Sequence, residues 1–136
     1  MSASPTTLSL TALRVSDLTA STAFYAGCGF VEERSFSTDT FDAVILRAGT
    51  AGIELIAPRT TDTAPEHGNM LVKLVLNTSD VVGLLARACA HGGVEEMPAT
   101  VLTHFAGRTV GKLRDPDGYL IEVVSPPAEP AEPHDR

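Results

Sequence analysis

Tryptophan is absent from the 136 residues, and two tyrosines and five phenylalanines complete the aromatic set. A slot that clamps a flat polycyclic ligand between rings therefore has few residues to draw on. Cysteine is equally scarce: Cys28 and Cys89 have neither CxxC spacing nor the density of a disulfide scaffold, so two small buried thiols and no bridge are expected. Ten basic residues against seventeen acidic ones give a formal charge of -7. Because the basic residues are spread along the chain, no phosphate-tracking surface forms and nucleic acid is not an expected partner. No apolar run approaches the ~18 residues of a membrane span, so no membrane partner is expected either. The start, "MSASPTTLSL", lacks the basic head and long apolar core of a secretory signal, which makes the cytoplasm the expected location. Neither a GxSxG nucleophile elbow nor a GxGxxG turn after a strand is found.

What is present is a globular composition, 43% hydrophobic and 20% charged, at a length that suits one compact fold. The small polar stretch 1–7 and the proline-acid tail 127–136 cannot bury apolar area and read as a flexible N-terminus and a disordered tail. Between them lies an internal repeat. "IELIAP" at 53–58 returns as "IEVVSP" at 121–126, and "LTALRVSDL" from Leu10 is matched by "KLVLNTSDV" from Lys73. Two modules result, 8–58 and 71–126, with a linker at 59–70.

Each module carries the same order of elements. A strand at 8–15 runs into a helix through "DLTASTAFYAG", with Ser16 or Asp17 as cap, and "GCGF" ends it with glycine. Strands near 31–37, 41–48 and 52–57 follow, the last two joined by "AGTAG". The second module repeats this with a strand at 71–77, a helix through "SDVVGLLARACAHGG" capped by Ser79 or Asp80, and strands near 94–101, 107–114 and 119–124. The turn "DPDG" at 115–118 joins the last pair. The fold class is therefore α+β, βαβββ twice.

Two such modules, with "ALRVSDLTASTAFYAGCGF" opening the first and "RDPDGYLIEVVSP" closing the second, resemble the vicinal oxygen chelate superfamily of glyoxalases, bleomycin resistance proteins and dioxygenases. The resemblance implies a glyoxalase-like fold in which each module curls a mixed sheet around a small-molecule cavity. It also implies a homodimer. In metal-dependent relatives a ligand lies on the first and last strand of each module, and the corresponding positions here are Leu10, Glu54, Lys73 and Glu122. Leucine cannot bind a metal, and lysine stands where histidine is usual. The resemblance fixes the fold better than the activity, since its members include unrelated enzymes and non-catalytic binders.

Strand alternation gives Glu54, Lys73 and Glu122 a common direction independently of the family: Ile53, Leu55, Leu74, Leu76, Ile121 and Val123 face the helices, so the three charged side chains face away. Leu10, Ala12, Ile56, Val75, Leu120 and Val124 share their parity, and Lys112 on the neighbouring strand is a further candidate for the same surface. Transition-metal sites need three or four ligands, typically with imidazole among them. Two carboxylates beside an ammonium group make a poor site, so no metal and no other cofactor is expected, and Lys73 reads as the substitute for the metal's charge. At ~4 Å and an effective dielectric near 20, such a contact is worth about 4 kcal/mol before desolvation. Each of the three also has a plainer explanation: Glu54 and Glu122 as parts of a fold signature, Lys73 as a snorkelling side chain.

Two classes of function follow. The first is a metal-independent enzyme of proton transfer, an isomerase, epimerase, cyclase or lyase, with Glu54 or Glu122 as acid or base and Lys73 stabilising negative charge. The second is a protein that sequesters a drug or metabolite, against which the scarcity of aromatic residues weighs modestly, since Phe36, Phe41 and Phe105 are still available to line a cavity mouth. A metal-dependent glyoxalase or dioxygenase conflicts with Leu10 and Lys73. Among the histidines, His91 suits a helix C-terminus, His134 lies in the tail, and His67 and His104 fall in loops.

Overall fold

The computed structural model describes residues 5–60 and 65–126; the tail 127–136, residues 1–4 of the N-terminus and residues 61–64 of the linker lie outside them. The chain divides between Pro65 and Glu66 into two compact units. In the first, strand β1 (Leu10–Arg14) leads to helix α1 (Leu18–Gly27), followed by β2 (Val31–Ser37), β3 (Phe41–Ala48) and β4 (Ala51–Pro58). In the second, β5 (Leu74–Asn77) leads to α2 (Val81–Ala90), then β6 (Val94–Leu102), a 3-10 turn at Thr103–Phe105, β7 (Arg108–Arg114) and β8 (Leu120–Val124). Both sheets are mixed and open, in the orders β1-β4-β3-β2 and β5-β8-β7-β6, with β1 and β5 running parallel to their neighbours. The α+β class and the βαβββ repeat are thus both present.

The helices start where the acids allow. Asp17 accepts from the Ala20 amide at 3.0 Å and Asp80 from the Gly83 amide at 2.9 Å, satisfying N–H groups that have no partner in the first turn. Past their ends, Gly29 at φ +106 and Gly92 at φ +99 take up backbone conformations that side chains disfavour. Ser21, Phe24, Tyr25 and Cys28, spaced by three and four residues, form the buried stripe of α1. Ala23, in the same helix, is exposed. Phe24 and Tyr25 meet edge to face at 4.8 Å, and Leu13, Leu46 and Leu55 are buried in the same unit. Burial of each ring contributes about 1.5–3 kcal/mol. In the second unit α2 buries Val81, Leu84, Leu85 and Ala88 on a core containing Leu113, Ile121 and Val123.

The first strand of the second unit is shorter than its sequence suggests. Leu71, Val72 and Lys73 precede it, and Leu71 and Val72 are exposed rather than buried, as is Val75 within it. β5 pairs with β8 only from Leu74 to Asn77, so the three residues before it have no ladder to hold their apolar side chains over the core.

The repeat extends to irregular features. The β2–β3 ladder shifts register between Glu32 and Arg34, and the β6–β7 ladder shifts between Glu95 and Met97. In each bulge the extra glutamate binds an arginine at the end of the neighbouring strand: Arg47 Nε to Glu33 Oε1 at 2.6 Å, and Arg114 Nε to Glu96 Oε1 at 2.7 Å.

Candidate functional site

Glu122 lies at the centre of β8, with Val75 of β5 as its register partner on one side and Lys112 of β7 on the other. Ile121 and Val123 point to the core, so Glu122 stands on the opposite face with Leu120, Val75 and Lys112. Lys73, one residue before β5, reaches it: Nζ lies 2.9 Å from Glu122 Oε1. The glutamate side chain is 15% exposed and the lysine 37%. With that much of the lysine in water, the ion pair contributes at most about 1 kcal/mol, well below the unscreened Coulomb figure. Its effect is geometric: it holds an ammonium group against a mostly buried carboxylate.

Glu54 occupies in the first unit the place of Glu122 in the second. Its register partners are Ala12 on β1 and Ile45 on β3, and it is half-buried. Leu10 is the partner of Gly52, where its side chain would stand 3.1 Å from an added Cβ. Ile56 lies two residues on from Glu54, on the same face, beside Arg14. Of the residues singled out from sequence, Lys73, Glu122, Val75, Lys112 and Leu120 are thus gathered in the second unit, and Leu10, Ala12, Glu54 and Ile56 in the first.

Several residues beside Lys73 escaped sequence reasoning. His67 Nε2 lies 2.7 Å from the Asp117 carbonyl oxygen, and its ring meets Tyr119 edge to face at 5.0 Å. Asp115 is 3% exposed; its Oδ1 accepts from the amides of Asp117 and Tyr119, both at 2.9 Å, which closes the β7–β8 turn. Arg114, besides binding Glu96, donates from Nη1 to the Gly118 carbonyl at 3.1 Å. The Glu96 carboxyl is held below its ordinary pKa, first by the Arg114 hydrogen bond and then by the charges of Arg114 and Lys112, against an opposing desolvation. The arginine-glutamate pairs were legible in one signal, the return of "VEE" at 31–33 as "VEE" at 94–96 and of "LR" at 46–47 as "LR" at 113–114. His67, Arg114 and Tyr119 line, together with Lys73, a depression of about 180 Å³ in the second unit.

A divalent metal of the kind used by metal-dependent relatives does not fit the second unit's donor set. The carboxylate that would ligate it is already bound by a fixed positive charge, and ammonium offers no lone pair. Among the described residues no group of three His, Cys, Asp or Glu side chains is gathered for such an ion. Also among the described residues, no helix is long and apolar enough to cross a membrane.

Known proteins with this fold can be compared directly. A glyoxalase I mutant from Zea mays superposes with a TM-score of 0.79 at 20% identity, covering 90% of this chain and 46% of that one. The chain thus spans about half the length of the maize protein. A trypanothione-dependent glyoxalase I from Leishmania major gives 0.73 at 24% identity, covering 89% of this chain and 87% of its own. A glyoxylase/bleomycin resistance protein/dioxygenase domain from Frankia gives 0.74 at 21%, covering 90% and 98%. Identities this low establish the fold alone. No curated protein matches significantly. The family model of the Glyoxalase/Bleomycin resistance protein/Dioxygenase superfamily matches residues 7–123, nearly the whole chain, which therefore belongs to that superfamily.

Proposed function

We propose that the protein binds a small molecule and transfers a proton on it without a metal, with Glu122 as acid or base and Lys73 as its electrostatic partner. The observation that carries this is the 2.9 Å contact of the Lys73 ammonium with a carboxylate that is 15% exposed. In the simplest reaction Glu122 takes a proton from a carbon beside a carbonyl. The C–H electron pair moves into the new carbon-carbon double bond and the carbonyl pair onto oxygen, where Lys73 donates a hydrogen bond. Return of the proton to another face or atom completes an epimerisation or isomerisation and restores the carboxylate. Glu54 is the equivalent acid of the first unit and is tested in parallel. The homodimer implied by the resemblance belongs to the same proposal and is read by sedimentation equilibrium.

The test is deuterium exchange from solvent into a panel of carbonyl-adjacent carbon acids. Glu122→Gln is expected to slow exchange by roughly a hundredfold or more, and Lys73→Met to slow it while leaving the fold intact. Saturable binding without exchange on any compound overturns the enzymatic reading in favour of sequestration. Exchange unaffected in Glu122→Gln removes Glu122 from the chemistry.

A further inference from the structure

We propose that the depression beside β5 in the second unit is a binding site for a small organic carboxylate. It deepens the reading above, on which it rests for the ligand-facing role of Lys73. Two cations, Lys73 and Arg114, line the depression together with the ring of His67 and with Tyr119, while Leu71 and Leu120 supply apolar wall. None of the residues that line it is Asp or Glu. The carboxylates that pair the two cations, Glu122 at 2.9 Å and Glu96 at 2.7 Å, do not line the depression. Neither ion pair therefore puts its carboxylate among the lining residues, and each acid holds its cation in place. A ligand arriving from the open side meets N–H donors before it meets negative charge.

The remaining geometry narrows the ligand. At about 180 Å³ the space is smaller than the roughly 300–1,000 Å³ of a site for a drug-sized molecule. It takes a compound of a few carbons, or the anionic end of a longer one. The planar guanidinium of Arg114 suits a planar carboxylate, and the leucines beside it favour a short branched hydrocarbon over a fully hydrated anion. The Arg114 hydrogen bond to the Gly118 carbonyl and the His67 contact with the Asp117 carbonyl tie both side chains to the β7–β8 turn, so the guanidinium and the imidazole ring are positioned before any ligand arrives.

The experiment is an amide-resolved NMR titration of the full chain with isobutyrate, isobutyramide and inorganic phosphate. Isobutyrate is expected to shift amides at 67–74 and 118–120 saturably, and isobutyramide and phosphate to bind at least roughly tenfold more weakly. Arg114→Gln is expected to lose roughly tenfold in isobutyrate affinity and Arg114→Lys distinctly less, with dispersed spectra showing that both fold. Equal response to acid and amide, shifts centred elsewhere, tighter binding of phosphate, or equal losses in the two folded variants would each overturn the proposal. The two readings fail separately: wild type that exchanges a carbon acid but whose amides at 67–74 and 118–120 do not respond to isobutyrate overturns this proposal alone, and wild type that binds isobutyrate there but exchanges no carbon acid overturns the proton-transfer reading alone.

Discussion

Arg114 Nε lies 2.7 Å from Glu96 Oε1 across the bulge of β6, repeating in the second unit the 2.6 Å contact of Arg47 with Glu33 in the first. Two copies of one bulge with one ion pair make the arginine a fixed part of the module rather than a chance surface contact. Both members of the Arg114 pair are well exposed, so the bond orients the guanidinium more than it stabilises the fold.

The pH dependence of that bond has a definite sign. The folded pKa of Glu96 is lowered, so its contribution to stability is present above the unfolded carboxyl value and is lost as pH falls through the folded one. Urea unfolding of wild type and Glu96→Gln is expected to differ at neutral pH, with the gap closing as the carboxylate protonates. A gap that widened on acidification would contradict the assignment.

Replacing the lysine that stands at a ligand position tests the fit of the metal. Lys73→His places an imidazole beside Glu122 and removes the competing ammonium, so affinity of the second unit for zinc or nickel is expected to rise by at least an order of magnitude over wild type. Isothermal titration with each metal reads it, and equal affinity in the two proteins would refute the idea that the ammonium excludes the ion.

Gly118 is expected to be the least replaceable glycine of the second unit's turns. Its φ of +95 is disfavoured for any side chain, and an added Cβ would stand 3.1 Å from His67 Nε2. Gly118→Ala should lose about 1–2 kcal/mol in chemical denaturation and shift the His67 ring resonances. Gly29→Ala, at φ +106 with nothing within 4 Å, shares the backbone penalty without the contact.

The helix caps provide a local measure of stability. Asp17→Ala and Asp80→Ala each remove an acceptor from a first-turn amide and should destabilise by about 1 kcal/mol. Asn at either position should recover most of it, and a loss that Asn did not recover would mean that the charge, not the cap hydrogen bond, matters.

Much of this protein was determined by local pattern alone. The "SD" caps, the glycines after each helix and the two "IE" strands set element order, and period-two alternation put Glu54 and Glu122 opposite the helix-packed core, because those signals act between residues close in the chain. Even the bulge pairs were written in the "VEE" and "LR" repeats.

Only the tertiary structure decided where the lysine's strand begins and what surrounds it. Local pattern reads 71–77 as a strand, but ladder hydrogen bonds come from a partner, and β8 supplies them only from Leu74. Lys73 is thereby left half-exposed at the strand's edge, long enough to reach Glu122 and open to the depression that Arg114, His67 and Tyr119 complete. Those three come from the linker and from the β7–β8 hairpin, and no periodicity along the chain encodes their convergence on Lys73. It follows from the packing of a turn closed by the buried carboxylate of Asp115.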